Sequence, residues 1–230
     1  MKDIKFQVYL FILIFLAGCA GNDVEENKRA KKDGQTAMNE KVDEERPVIL
    51  FFGNSITYGY GIDPEYAFSS LIQERLDSLG YDYMVINAGL SGETTASGNS
   101  RISWVLKTIP DVFVLELGAN DGLRGIDAAE TSKNLKSIIG KVREVNPDVE
   151  ILLAGMEVPP SMGEDYASSM RKIYPEISKS ENVSLIPFIL AGVAGEPELN
   201  IEDGIHPTEE GHRIVANTVW KYLKPLLKNK

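Results

Sequence analysis

Val48-Ile49-Leu50-Phe51-Phe52-Gly53-Asn54-Ser55-Ile56 is the stretch on which the fold of this 230-residue chain turns. Five consecutive apolar residues, rich in β-branched and aromatic types, predict a short strand buried on both faces. Gly53 ends it, because a residue without Cβ lets the backbone turn sharply at little steric cost. Ser55 is then delivered at the carboxyl end of a strand, the edge of an open α/β sheet where ligands bind. A serine there is a candidate nucleophile. Taken alone, it is equally a hydroxyl that hydrogen-bonds its own turn.

Working outward, strand and amphipathic helix alternate from Pro47 to Lys230. Asp63-Pro64 predicts a helix start, with Asp as cap and Pro at the first position. Phe68, Leu71, Ile72, Leu76 and Leu79 share its inner face, and Gly80 ends it. Met84 to Asn87 reads as a second strand, Ile102 to Ile109 as a helix, and Asp111 to Leu117 as a third strand. Leu135, Ile138, Ile139, Val142 and Val145 stripe the next helix. Glu150 to Ala154 is a fourth strand, Asp165 to Ser178 a helix, Val183 to Pro187 a fifth strand, and Thr208 to Leu227 a closing helix. Repeated βα units imply right-handed crossovers and helices on both faces of a parallel sheet. The expected architecture is therefore a three-layer α/β domain, a doubly wound sheet of about five parallel strands in the flavodoxin-like order.

Four dispersed stretches carry residue types suited to acyl transfer: Gly53-Asn54-Ser55-Ile56-Thr57, Asn87-Ala88-Gly89-Leu90-Ser91-Gly92-Glu93-Thr94, Leu115-Glu116-Leu117-Gly118-Ala119-Asn120-Asp121-Gly122 and Asp203-Gly204-Ile205-His206-Pro207. The first three follow parallel strands and so emerge on one sheet edge. A serine hydroxyl is a weak nucleophile until a neighbouring base takes its proton. His206 lies in a Gly/Pro-bounded loop, and Asp203, three residues upstream, can reach its ring and fix the tautomer. A tetrahedral intermediate also needs donors aimed at its oxygen. The Ser55 and Gly92 backbone N–H groups and the Asn120 amide are candidates, although Asn-Asp-Gly is also a strong turn signal. His212, the other of the two histidines, reads as a surface or partly packed residue of the last helix. Glu116, an acid within an apolar strand, reads as an acceptor that holds the Ser55 turn or the Gly92 loop.

These four stretches resemble the blocks of the SGNH (GDSL-type) hydrolases, and in particular the bacterial thioesterase I/protease I/lysophospholipase branch. Glu116-Leu117-Gly118-Ala119-Asn120-Asp121-Gly122-Leu123-Arg124-Gly125, Val158-Pro159-Pro160 with Tyr174-Pro175, and Asp203-Gly204-Ile205-His206-Pro207 carry that likeness. The resemblance implies Ser55 as nucleophile, His206 as base, Asp203 as its orienter, and Ser55, Gly92 and Asn120 as the oxyanion hole. It also implies that Met156, Val158, Pro159 and Met162, after strand four, form a lid over the acyl chain. Asn54 and Ile56 depart from the family's Asp and Leu. The implied activity is hydrolysis of acyl esters (lysophospholipid, aryl or short- to medium-chain esters, and thioesters) of small-molecule substrates by a monomer, with neither cofactor nor metal. Removal of acetyl groups from a glycan is the alternative within the fold. Outside hydrolysis, the rival is a flavodoxin-like binding module whose Gly53–Thr57 turn cradles a phosphate, which leaves Asp203, His206 and Asn120 without a task.

The N-terminus reads as an export signal. Lys2 and Lys5 precede an apolar run from Phe6 to Ala17, about a dozen residues where a bilayer span needs ~20. It closes on Leu16-Ala17-Gly18-Cys19, which resembles a bacterial lipoprotein signal. Residues 1–18 are then a signal peptide, and Cys19 is the lipidation site that anchors an exported protein to a membrane. An ordinary secretory peptide is the alternative. Residues 19–46, dense in both charge signs, read as a disordered tether, with a short helix from Ala37 to Glu45 as the competing reading. Cys19 is the one cysteine, so lipidation leaves no thiol for a disulfide, a nucleophile or a thiolate metal site. Two histidines leave too few ligands for a metal hydrolase. A net charge of −10 without a basic stripe argues against nucleic acid as a partner.

Overall fold

The computed structural model describes residues 46–228. The expected signal peptide, Cys19 and nearly all of the expected tether lie outside the described residues. Five strands, β1 (Val48–Gly53), β2 (Met84–Asn87), β3 (Val112–Glu116), β4 (Glu150–Ala154) and β5 (Ser184–Ile186), form one sheet in the order β2-β1-β3-β4-β5. All pairings are parallel. Strand β1 lies between two neighbours under helices on both faces, so all six of its residues are buried. That is why it reads as a continuous apolar run rather than an alternation. Phe51, Phe52 and Phe113 are fully buried, and each such side chain contributes roughly 1.5–3 kcal/mol by leaving water.

The helices are α1 (Ser55–Tyr58), α2 (Phe68–Ser78), α3 (Thr95–Val105), α4 (Ala119–Leu123), α5 (Ala128–Val145), α6 (Glu164–Glu181) and α7 (Glu209–Leu223). Helix α2 packs against α7, while α5 packs against both α3 and α6. With right-handed crossovers these two groups cover opposite faces of the sheet. The expected three-layer fold is the one observed.

The boundaries depart from expectation where local chemistry competes. Asp63-Pro64 opens only a single 3₁₀ turn, Pro64–Tyr66, with no side-chain cap bond, and α2 begins at Phe68. Leu79 follows the end of α2 and is 56% exposed, so it leaves the inner face on which the helical spacing placed it. Helix α3 starts seven residues before the expected Ile102. Thr94 caps it in a reciprocal box with Ser97, a signal that its polar first turn concealed. The closing helix stops at Leu223, because Pro225 allows only a 3₁₀ turn over Lys224–Leu226.

Candidate active site

The turn after β1 is held from beneath by Glu116, the last residue of β3. Its carboxylate is buried and accepts four bonds: from the Asn54 N–H (3.1 Å), the Asn54 side-chain amide (2.6 Å), the Thr57 N–H (3.3 Å) and the Thr57 hydroxyl (2.8 Å). Burial pushes the Glu116 carboxyl up to about 7, against the pull of these donors. Gly53 has to be glycine, because an added Cβ would run into the Thr57 hydroxyl and the Glu116 carboxylate. Asn54 in turn caps α1 by accepting from the Ile56 N–H at 2.9 Å. The Asn that replaces the family's Asp thus has a specific partner: its amide donates to a carboxylate that a second acid could meet only by sharing a proton.

The loop before α7 brings the other half of the site. Gly204 takes φ +70, and the strand-like bridge of Asn200 to Pro207 closes the loop at its base. Asp203 Oδ1 accepts from the Ile205 and His206 N–H groups at 2.9 and 3.0 Å. Its Oδ2 lies 2.6 Å from His206 Nδ1, and His206 Nε2 lies 2.7 Å from Ser55 Oγ across 151 residues of chain. Partial burial opposes the Asp203 charge. The bonds from the His206 backbone and ring and from the Ile205 N–H outweigh it and hold the carboxyl down to about 2. An ionised Asp203 keeps the Nδ1 proton on the ring and leaves Nε2 free to accept from Ser55.

The Gly92 loop is fastened to both neighbours. The Leu90 N–H donates to Gly53 O at 2.9 Å, and Gly92 itself adopts φ +77. The Asn120 amide, in the first turn of α4, donates to Glu93 O at 3.1 Å, while Arg124 donates to Gly92 O at 3.0 Å. The buried Glu93 carboxylate takes two bonds from Arg101, at 2.7 and 2.6 Å, and Arg101 also donates to Ala88 O. Such a fork is strong when desolvated, and it braces the loop from behind. Asp121 is fully buried and accepts from the Thr95 N–H and hydroxyl, joining α4 to the start of α3. Thr57 and Asp121 stood inside the quoted stretches without an assigned partner, and Arg101 lay outside them; the sequence shows each only as a polar residue whose partner is distant in the chain.

The stretch after β4 behaves less simply. Met156 and Val158 are buried; Met156 joins the main core, and Val158 a small cluster with Ala167 and Met170. Val158 fills the space that a Cβ at Gly122 of α4 would need. Pro159 is exposed, and Met162 is half-buried against the same small cluster. His212 requires a correction, because it is fully buried rather than at the surface or partly packed. Its Nδ1 accepts from the Phe68 N–H at 3.2 Å, and its ring stacks on Phe68 at 6.1 Å between centroids. Capping α2 from α7 is the role that helical spacing alone could not show.

Residues 51–214 match the GDSL-like Lipase/Acylhydrolase family. The chain belongs to this family of SGNH hydrolases, whose fold and activity class it shares. It is 38% identical over 180 residues to the esterase TesA of Pseudomonas aeruginosa, covering 78% of this chain and 89% of that protein. It is 33% identical to thioesterase 1/protease 1/lysophospholipase L1 of Escherichia coli K12, covering 78% and 84%. The crystal structure of TesA superposes with a TM-score of 0.75 over 78% of this chain and 99% of that one. The psychrotrophic esterase EstA of Pseudoalteromonas, in a structure inhibited by monoethylphosphonate, gives 0.74 at 28% identity over 79% and 99%. The protein is accordingly a carboxylic ester hydrolase.

Proposed function

We propose that the protein hydrolyses acyl esters through an acyl-enzyme formed on Ser55, with His206 as base and Asp203 as its orienting carboxylate. The observation that carries this reading is the unbroken hydrogen-bond chain from Ser55 Oγ through His206 to Asp203. His206 Nε2 takes the hydroxyl proton as Oγ attacks the ester carbonyl. The N–H groups of Ser55 and Gly92, together with the Asn120 amide N–H that does not bind Glu93, stabilise the tetrahedral oxyanion. His206 returns its proton to the departing alcohol oxygen, and water then cleaves the acyl-enzyme by the same steps. That EstA is inhibited by a phosphonate supports a serine route here, since phosphonates mimic the tetrahedral intermediate.

Pro159 and Met162 border the acyl group in this reading, with Met156 and Val158 supporting them from below. The burial of Met156 and Val158 leaves less apolar surface for a long chain than the sequence implied. It favours short acyl groups and gives weight to a second reading, deacetylation of a glycan. The exported lipoprotein with its lipid on Cys19 is our inference from Leu16-Ala17-Gly18-Cys19, and the membrane is then met through that lipid.

A fluorophosphonate probe and p-nitrophenyl esters of increasing chain length test both points. Wild type should be labelled, Ser55→Ala should be neither labelled nor active, and Asn120→Ala should lose about 10²–10³ in kcat. A His206→Ala variant with near-native kcat would refute the assignment. A rate highest on acetyl esters would select the deacetylase.

A further inference from the structure

Tyr60 is part of no block that the sequence singled out, yet it lies against the catalytic base. Its ring centroid is 4.7 Å from that of His206, with the planes tilted by 45°. Its N–H donates to Ser55 O at 3.0 Å, so the same short turn fixes the backbone of both residues. A tyrosine that served only to pack the histidine would be covered. Tyr60 is 46% exposed. It thus flanks the imidazole and remains open to solvent.

The reaction decides which part of the substrate meets them. In the tetrahedral intermediate the carbonyl oxygen points to the Gly92 and Asn120 donors. The alkoxy oxygen must sit at His206 Nε2, which gives it a proton as the C–O bond breaks. The group attached to that oxygen therefore leaves over the imidazole, beside Tyr60. The acyl carbon chain points elsewhere. We propose that Tyr60 forms the leaving-group subsite and selects esters of flat aromatic alcohols. A planar π-system can stack on the tyrosine face, whereas a puckered aliphatic ring of equal size makes fewer contacts with it. The proposal rests on the Ser55–His206–Asp203 reading, and the two fail separately.

The experiment compares kcat/KM for phenyl acetate and cyclohexyl acetate in wild type, Tyr60→Ala, Tyr60→Phe and Ser55→Ala. The acyl group is constant, and kcat/KM covers the steps up to departure of the alcohol. The difference in intrinsic reactivity between the two esters cancels when each variant's phenyl-to-cyclohexyl ratio is divided by that of wild type. Tyr60→Ala should lower this ratio about five- to tenfold, and Tyr60→Phe should retain it, since the ring and not the hydroxyl does the selecting. Equal loss on both esters, with a shifted pH profile, would show Tyr60 acting through His206 and overturn the subsite. So would an unchanged ratio. Activity remaining in Ser55→Ala would instead overturn the underlying mechanism.

Discussion

At the scale of single residues, Glu116 shows how a buried acid organises a site without touching the reacting atoms. Four donors converge on its two oxygens and no acceptor faces it. An amide in its place would turn one N–H toward those donors and leave buried groups unpaired, which costs on the order of 1–3 kcal/mol. Glu116→Gln should therefore lower the melting temperature and, because Ser55 sits inside the turn that loosens, reduce kcat more than it raises KM. Steady-state kinetics beside a thermal melt would check this; an unchanged kcat would leave Glu116 a purely structural group. Its role was legible in the sequence because an acid in the otherwise apolar run Val112–Leu117 must find partners. Which partners it finds was not legible, since β1 and β3 are brought together only by the sheet.

At the scale of elements, periodicity located the strands and most helices but not the contacts among them. Val158 follows an apolar strand and precedes a helix, so a covering loop was a natural reading; in the fold it fits against Gly122 and steadies α4. His212 is the sharper case. It joins α7 to the first residue of α2, and burial, with a smaller contribution from the charge of His206, lowers its pKa from 6.5 to about 4. The unfolded chain takes up a proton at that ring below pH 6.5, while the folded protein resists until about 4. Its contribution to stability is thus complete above 6.5 and is lost as pH falls toward 4, by about 1.4 kcal/mol per pH unit. His212→Asn keeps an acceptor for the Phe68 N–H but cannot titrate. Urea unfolding at pH 7 and at pH 4.5 should show wild type losing more stability than the variant over that interval. Parallel losses would mean that the ring is not held neutral.

For the whole molecule, the stretch Leu16-Ala17-Gly18-Cys19 that resembles a lipoprotein signal precedes the hydrolase domain in the sequence, and the two can be separated by experiment. If Cys19 carries the lipid, Cys19→Ser should move the protein from the membrane fraction to the soluble one. Turnover of soluble esters should stay the same, because Ser55, His206 and Asp203 all lie in the described domain, far from Cys19 in the sequence. Fractionation with the variant still bound would point to an uncleaved apolar segment or a protein partner.

The sequence by itself determined the layer architecture and the chemical inventory. Continuous apolar runs such as Val48–Phe52, set between amphipathic stripes, have few solutions other than a parallel sheet under two helical layers. Ser55, Gly92, Asn120, Asp203 and His206 stood out because each is a polar or glycine residue in a stretch whose glycines or proline serve a turn rather than a core. Local competition hid more: the capping box at Thr94 lay in a polar stretch with no apolar stripe to announce α3. Only the tertiary structure decided what depends on the distance between residues far apart in the chain. It brought Ser55 to 2.7 Å from His206, set His212 beneath α2, turned Val158 inward and left Tyr60 open beside the imidazole. Periodicity assigns a side chain to a face, but the partner on that face is set by the packing of every layer at once.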